Sequence, residues 1–123
     1  MLTAASVTKF IYTAFVRVRQ LKAPVVCVAH GKIVGGGFAA MLNSDYRILV
    51  DDESTVLNYG NMPRGVCPGV MLSANLPRMV GETNAFSAYL QDAFFSPQEV
   101  VSMGLVNECQ PSHAAAMERA VSL

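Results

Sequence analysis

The fold is decided by APVVCVAHGKIVGGGFAAMLNSD, residues 23–45. Its first part, residues 24–29, is an apolar, β-branched run that reads as a buried strand. His30-Gly31 ends the run, a three-residue loop follows, and Gly35-Gly36-Gly37 opens a helix of small and apolar residues, 38–42. Glycine inside a helix costs roughly 1 kcal/mol against alanine, so three in a first turn need a reason other than helix stability. Bare backbone supplies one, because a ligand can approach first-turn N–H groups that have no partner within the helix and carry the positive end of its dipole. Either a phosphate or an oxyanion that develops during acyl chemistry suits such a turn.

Upstream, Val7, Phe10, Ile11, Ala14, Phe15 and Val18 recur at helical spacing while Lys9, Arg17 and Arg19 fall off that stripe. This predicts an amphipathic helix over residues 4–21, stopped before Pro24 and lying over a sheet. No earlier strand precedes it for the helix to cover, which suggests a truncated domain. Downstream, Tyr46-Arg47-Ile48-Leu49-Val50 reads as a second buried strand, Asp51-Asp52-Glu53-Ser54 as a solvated turn rather than a metal site, and Thr55-Val56-Leu57 as a short strand. Residues 58–69, NYGNMPRGVCPG, hold three glycines and two prolines and form an ordered loop, the kind of segment that carries polar site groups beside a rigid strand.

From residue 70 the pattern is helical: 70–76, then 77–80 closed by Gly81, then 82–90 with Ala85, Phe86, Tyr89 and Leu90 on one face. Ser96-Pro97-Gln98-Glu99 is a capping box with proline at the first helical position, and Gly104 ends that helix. Leu105-Val106 reads as a short extended piece, and a last helix runs from Ser112 to about Leu123. No internal repeat or low-complexity tract is visible.

Composition narrows the function classes. With 123 residues there is room for one domain, and an apolar share of 52% exceeds what a core of this size needs, so part of the apolar surface is expected to meet another chain or another part of the protein. Zero formal net charge and no basic stripe argue against nucleic acid. The three cysteines, Cys27, Cys67 and Cys109, fit no zinc or redox spacing and read as small buried residues in a reducing compartment. Neither a membrane span nor a signal peptide is evident, so an intracellular protein without a membrane partner is expected. The glycines match neither a P-loop nor a dinucleotide fingerprint, and His30 has no nucleophile at triad spacing.

The order of the pieces resembles the crotonase family, the enoyl-CoA hydratase and isomerase superfamily. The resemblance covers residues 21–123. It runs through Ala23-Pro24-Val25-Val26, His30-Gly31, Val34-Gly35-Gly36-Gly37 and Asp45. It continues with Arg64-Gly65-Val66-Cys67-Pro68-Gly69, Leu76-Pro77-Arg78-Met79-Val80-Gly81, Ser96-Pro97-Gln98-Glu99 and Gly104-Leu105-Val106. It implies an α/β fold, the second part of a crotonase-like (ClpP/crotonase) spiral ββα domain with C-terminal helices, over residues 1–123. It implies no resident cofactor, an acyl thioester of coenzyme A or of a carrier-bound pantetheine as substrate, and a homo-oligomer of the trimer type.

By position, the resemblance makes Gly36 the donor of one oxyanion-hole N–H, with Gly35, Gly37, Ala39, Gly65, Pro68 and Gly69 along the substrate. The second donor belongs to a loop earlier than the first helix here. Hydratases of the family carry one glutamate where this chain has Ala39 and another where it has Asn61, allowing a one-residue insertion. Alanine has no proton to give, and an amide is neither acid nor base near neutral pH. The family's glycine pair after Pro-Gly is replaced by Met71-Leu72. Two-glutamate hydration is therefore disfavoured. Enolate stabilisation by Gly36, with Tyr59, Asn61 and Arg64 as helpers, is the first expectation, and crotonases that decarboxylate polyketide intermediates work without both glutamates. A non-catalytic assembly or acyl-binding module is the second, in which Arg64 binds its own loop and Tyr59 packs. A nucleotide-binding α/β domain is the third.

Overall fold

The computed structural model describes residues 3–123. The strand at the centre of the decisive stretch is β1, Val26–Ala29, which pairs in parallel with β3, Tyr46–Val50, in the register Val26↔Tyr46 to Ala29↔Leu49. β3 pairs in parallel with β6, Glu108–Gln110. A second three-stranded sheet has β2, Lys32–Val34, parallel to β4, Val56–Asn58, which is antiparallel to β5, Phe94–Phe95. Two successive ββα turns result: β1-β2 with helix α2, Gly36–Leu42, and β3-β4 with helix α3, Leu72–Val80. Residues 32–34 are thus a strand and not the loop expected from sequence. Three residues are too few to show a period, and only pairing with β4 defines them.

β1 and β3 are covered on both faces, which is why these two strands are near-continuous apolar runs. Ala29 and Leu49 face a core built on Phe38, Leu57, Leu72, Leu76, Val100 and Leu105. The alternate residues Val26, Val28, Ile48 and Val50 face Ala116 and Ala120, of which Ala116 is the buried residue of the last helix, α6, His113–Val121. Gly31, at φ +67°, turns the chain from one sheet to the other. Its N–H donates to Thr55 Oγ1 at 3.1 Å and its carbonyl accepts from Val56 N–H at 3.1 Å, so the two corners are tied together.

Five expectations are corrected. The first helix, α1, Ala4–Arg19, forms but buries no residue, and Phe10 is 76% exposed, so within this chain it does not lie over a sheet. Residues 72–80 are one helix with Pro77 inside it. The cost of an interior proline, about 3 kcal/mol, is outweighed by burial of Leu72, Asn75 and Leu76 around it. On α4, Glu82–Leu90, the buried residues are Ala85 and Ala88, while Phe86 and Leu90 stand in solvent. Leu105 and Val106 are buried but lie in a turn. The strand is β6, where Asn107 N–H donates to the Arg47 carbonyl at 2.9 Å just before it. Cys67 is exposed, unlike the half-buried Cys27 and Cys109.

The capping box is present as read: Ser96 Oγ accepts from Glu99 N–H, and Glu99 Oε2 accepts from Ser96 N–H at 2.7 Å, opening α5, Pro97–Ser102. Ser96→Ala is expected to lose about 1 kcal/mol in urea unfolding, while Ser102→Ala, at an exposed site, changes little. Equal losses would mean that the cap does not carry this helix.

Beside the Met71-Leu72 pair, Val70 and Met71 take left-handed φ values of +53° and +64°, and Leu72 already belongs to α3. A left-handed residue with a Cβ costs roughly 1–2 kcal/mol, most for a β-branched one. Val70→Gly relieves that strain but gives up the packing of Val70 against the core and frees the unfolded chain, so it is expected to change stability by no more than about 1 kcal/mol. A loss of about 2 kcal/mol or more in urea unfolding would show that the strain is absent.

Candidate functional site

The glycine turn is held from β4. Gly35, at φ +53°, donates its N–H to the Asn58 carbonyl at 3.2 Å, and its own carbonyl accepts from Ala39 N–H at 2.9 Å. A Cβ on Gly35 would meet the Tyr59 carbonyl at 3.4 Å, whereas one on Gly36 would meet nothing within 4 Å. Gly36 and Gly37 are exposed. Gly36 is the first residue of α2, so its N–H has no acceptor within the helix. The turn thus offers, on an exposed glycine, a donor with no acceptor among the described residues. Ala39, two residues beyond the glycines, is 1% exposed and packs into the core.

The loop at 59–69 is ordered by bonds within it and by contacts to Phe38, Tyr89 and Asp92. Tyr59 is buried between Phe38 and Tyr89, with edge-on ring centroids 6.1 and 5.6 Å away, and burial pushes its phenol up to about 12. It is a neutral group at physiological pH and cannot act as a base. Gly60, at φ +61°, would collide with Val34 if it bore a Cβ, and its N–H donates to Asp92 Oδ1 at 3.1 Å. Arg64 Nη1 donates to the Gly60 carbonyl. Asn61 closes a 3-10 turn, Met62–Arg64, by accepting from Arg64 N–H, while its side-chain Oδ1 is buried with no hydrogen-bond partner. Gly65, at φ +61°, ends that turn.

Pro68 and Tyr59 line an apolar cavity of about 270 Å³ together with Pro77, Ala85 and Tyr89. Gly69 lies under α1, where a Cβ would come within 2.9 Å of the Tyr12 hydroxyl. The residues singled out from sequence therefore fall on two adjoining structures, the α2 turn with Gly35, Gly36, Gly37 and Ala39, and the loop with Tyr59, Asn61, Arg64, Gly65, Pro68 and Gly69. β4 joins them through Asn58 and the Tyr59 carbonyl. Sequence reasoning missed Asn58 and Asp92. Asn58 Nδ2 donates to the Asp92 and Ala93 carbonyls at 2.9 and 3.1 Å, across more than thirty residues, and no local pattern marks such a pair.

Two parallel-paired ββα turns with a glycine-opened helix beside an ordered loop define an α/β domain. The family model described as Enoyl-CoA hydratase/isomerase matches residues 2–123. The chain belongs to the enoyl-CoA hydratase/isomerase, or crotonase, family. It is 35% identical over 100 residues to the fatty acid oxidation complex subunit alpha of Shewanella putrefaciens, covering 81% of this chain and 14% of that one. The subunit of the same name from Shewanella frigidimarina is 33% identical over 112 residues, covering 91% and 16%. The chain thus spans about one seventh of these relatives. Among solved structures, enoyl-CoA hydratase from Thermoplasma volcanium superposes with a TM-score of 0.85 at 25% identity, covering 98% of this chain and 49% of that one. A probable enoyl-CoA hydratase/isomerase from Mycobacterium abscessus gives 0.86 at 21%, covering 97% and 44%. The α/β fold is that of about half of a crotonase structure. Among the described residues no helix is long and apolar enough to cross a membrane.

Proposed function

We propose that residues 1–123 form the second part of a crotonase domain and that, completed by the first part, they stabilise the enolate of an acyl thioester instead of hydrating an enoyl thioester. The observation that carries this reading is the contrast at α2. The Gly36 N–H has no acceptor among the described residues, while Ala39, at the position of one hydratase glutamate, is a methyl group buried in the core. Asn61, at the other glutamate position, has a side-chain Oδ1 that is buried without a partner, and its amide cannot take up a proton.

In this reading the thioester carbonyl lies over Gly36, and the developing negative charge on its oxygen is held by that N–H and by the second donor from the first part of the domain. Arg64 has one amino group on the Gly60 carbonyl, and its other N–H groups are available to a substrate carboxylate. Loss of the carboxylate as carbon dioxide leaves its electron pair on a carbon conjugated with the thioester, the γ-carbon in a glutaconyl-type substrate, as an enolate that water then protonates. The relatives' names favour a coenzyme A thioester of the fatty-acid type. Carrier-bound polyketide intermediates are the alternative substrate within the same chemistry.

A second reading, a non-catalytic assembly or acyl-binding module, is favoured by one observation: Arg64 and Tyr59 are both engaged inside their own loop and core. Joining this chain to the first part of a related crotonase and assaying both hydration of crotonyl thioester and decarboxylation of glutaconyl-type thioester separates the two. Assembly follows from the same proposal. With Phe10, Ile11, Val18 and Leu21 of the first helix region exposed, the isolated chain is expected to sediment as a trimer or larger, and a sharp 13.2 kDa species at micromolar concentration would count against it.

A further inference from the structure

We propose that the cleft at the C-terminal end of α2 binds an oxyanion, a phosphate or carboxylate group, independently of the glycine turn. The cleft has a volume of about 360 Å³ and is lined by Arg19, Arg47 and Arg78, with Asp45 its single carboxylate. Three of the nine basic residues converge here from α1, β3 and α3 in a chain whose net charge is zero. Asp45 Oδ2 is occupied by the Val25 N–H at 2.8 Å, and none of the three arginines is in an ion pair among the described residues.

The guanidinium groups are also held in place. Arg47 donates Nε to the Leu105 carbonyl at 2.7 Å and Nη1 to the Ser44 carbonyl at 2.8 Å, leaving Nη2 without an acceptor among the described residues. Arg19 Nη1 donates to Asn75 Oδ1 at 3.1 Å and Asn43 Oδ1 at 3.4 Å, and both amides are 5% exposed. Those amides turn their own NH₂ groups to the Ala39 and Leu42 carbonyls of α2, at 2.7 and 3.4 Å. The helix end that would repel an anion is thereby occupied by amide donors. Two anchored guanidinium forks and a third, Arg78, with no partner among the described residues suit the planar, multi-oxygen face of a phosphate or carboxylate. Gly36 stands at the other end of α2, roughly 10 Å away by the rise of a seven-residue helix, so the cleft is a separate site.

The test is calorimetric titration of the full chain with inorganic pyrophosphate at constant ionic strength, paired with mass-spectrometric mapping of phenylglyoxal modification. Saturable binding is expected, with protection at Arg19 and Arg78 and none at Arg17 or Arg119. R19Q and R78Q, at exposed positions that leave the core intact, are each expected to weaken binding at least about tenfold, while R17Q leaves it unchanged. Sedimentation identifies the source of the oxyanion. Unchanged association in pyrophosphate assigns the cleft to a small molecule, and dissociation by both pyrophosphate and R78Q assigns it to a carboxylate from a second copy. Equal affinity of wild type, R19Q and R78Q, absence of binding, or protection spread over all arginines overturns the proposal.

Discussion

Gly36→Pro is expected to lower enolate-forming turnover by about 10² to 10³ in the joined protein described above, the usual consequence of removing one oxyanion donor. The substitution isolates the N–H. Proline is well tolerated at the first position of a helix, where no intrahelical bond is lost, and no atom lies within 4 Å of a Cβ placed on Gly36. Circular dichroism and the unfolding midpoint should therefore match the parent. Arg64→Ala is expected to weaken decarboxylation more than binding of a thioester that lacks the carboxylate. Hydration at ordinary crotonase rates would sink the enolate reading, because a base other than Ala39 or Asn61 would have to exist. Silence in both assays from a folded protein would support the non-catalytic module.

Phe38→Ala is expected to cost about 3–5 kcal/mol. Phe38 is fully buried beneath the glycine turn and meets Tyr59 edge-on, so its removal leaves a cavity that α2 and the loop cannot easily close. A chain of this length has a total stability of roughly 6–18 kcal/mol at the usual 0.05–0.15 kcal/mol per residue, so the loss consumes a large share of it. Phe86→Ala, at a residue 63% exposed, is expected to stay within about 0.5 kcal/mol. Comparable losses at the two positions in urea unfolding would contradict the assignment of α4's buried face to Ala85 and Ala88.

That pair also shows where sequence patterning stops. Ala85, Phe86, Tyr89 and Leu90 satisfy a helical stripe, yet only Ala85 of the four is buried and Tyr89 half-buried against the core, while Ala88, off that stripe, is buried instead of Phe86 and Leu90. Pro77 marks a helix boundary by local rule and sits inside a helix, since tertiary burial of its neighbours exceeds the local penalty. The same limit applies to the loop. Its glycines and prolines identified it, but Asn58 and Asp92, which hold it in shape, are joined by contacts between distant residues.

By itself the sequence determined what depends on a few consecutive residues: the strand before His30, the glycine turn that opens α2, the strand at 46–50 and the capping box at Ser96. Each is set by steric preference, period or a bond spanning three or four positions, and the ordered motifs carry the family resemblance. Only the tertiary structure decided that Lys32–Val34 is a strand, that Val70 and Met71 take a glycine conformation, that α1 is left uncovered, and that Arg19, Arg47 and Arg78 share one cleft. These outcomes depend on which surfaces meet when the two sheets and their helices close on one another, and separation along the chain carries no record of that.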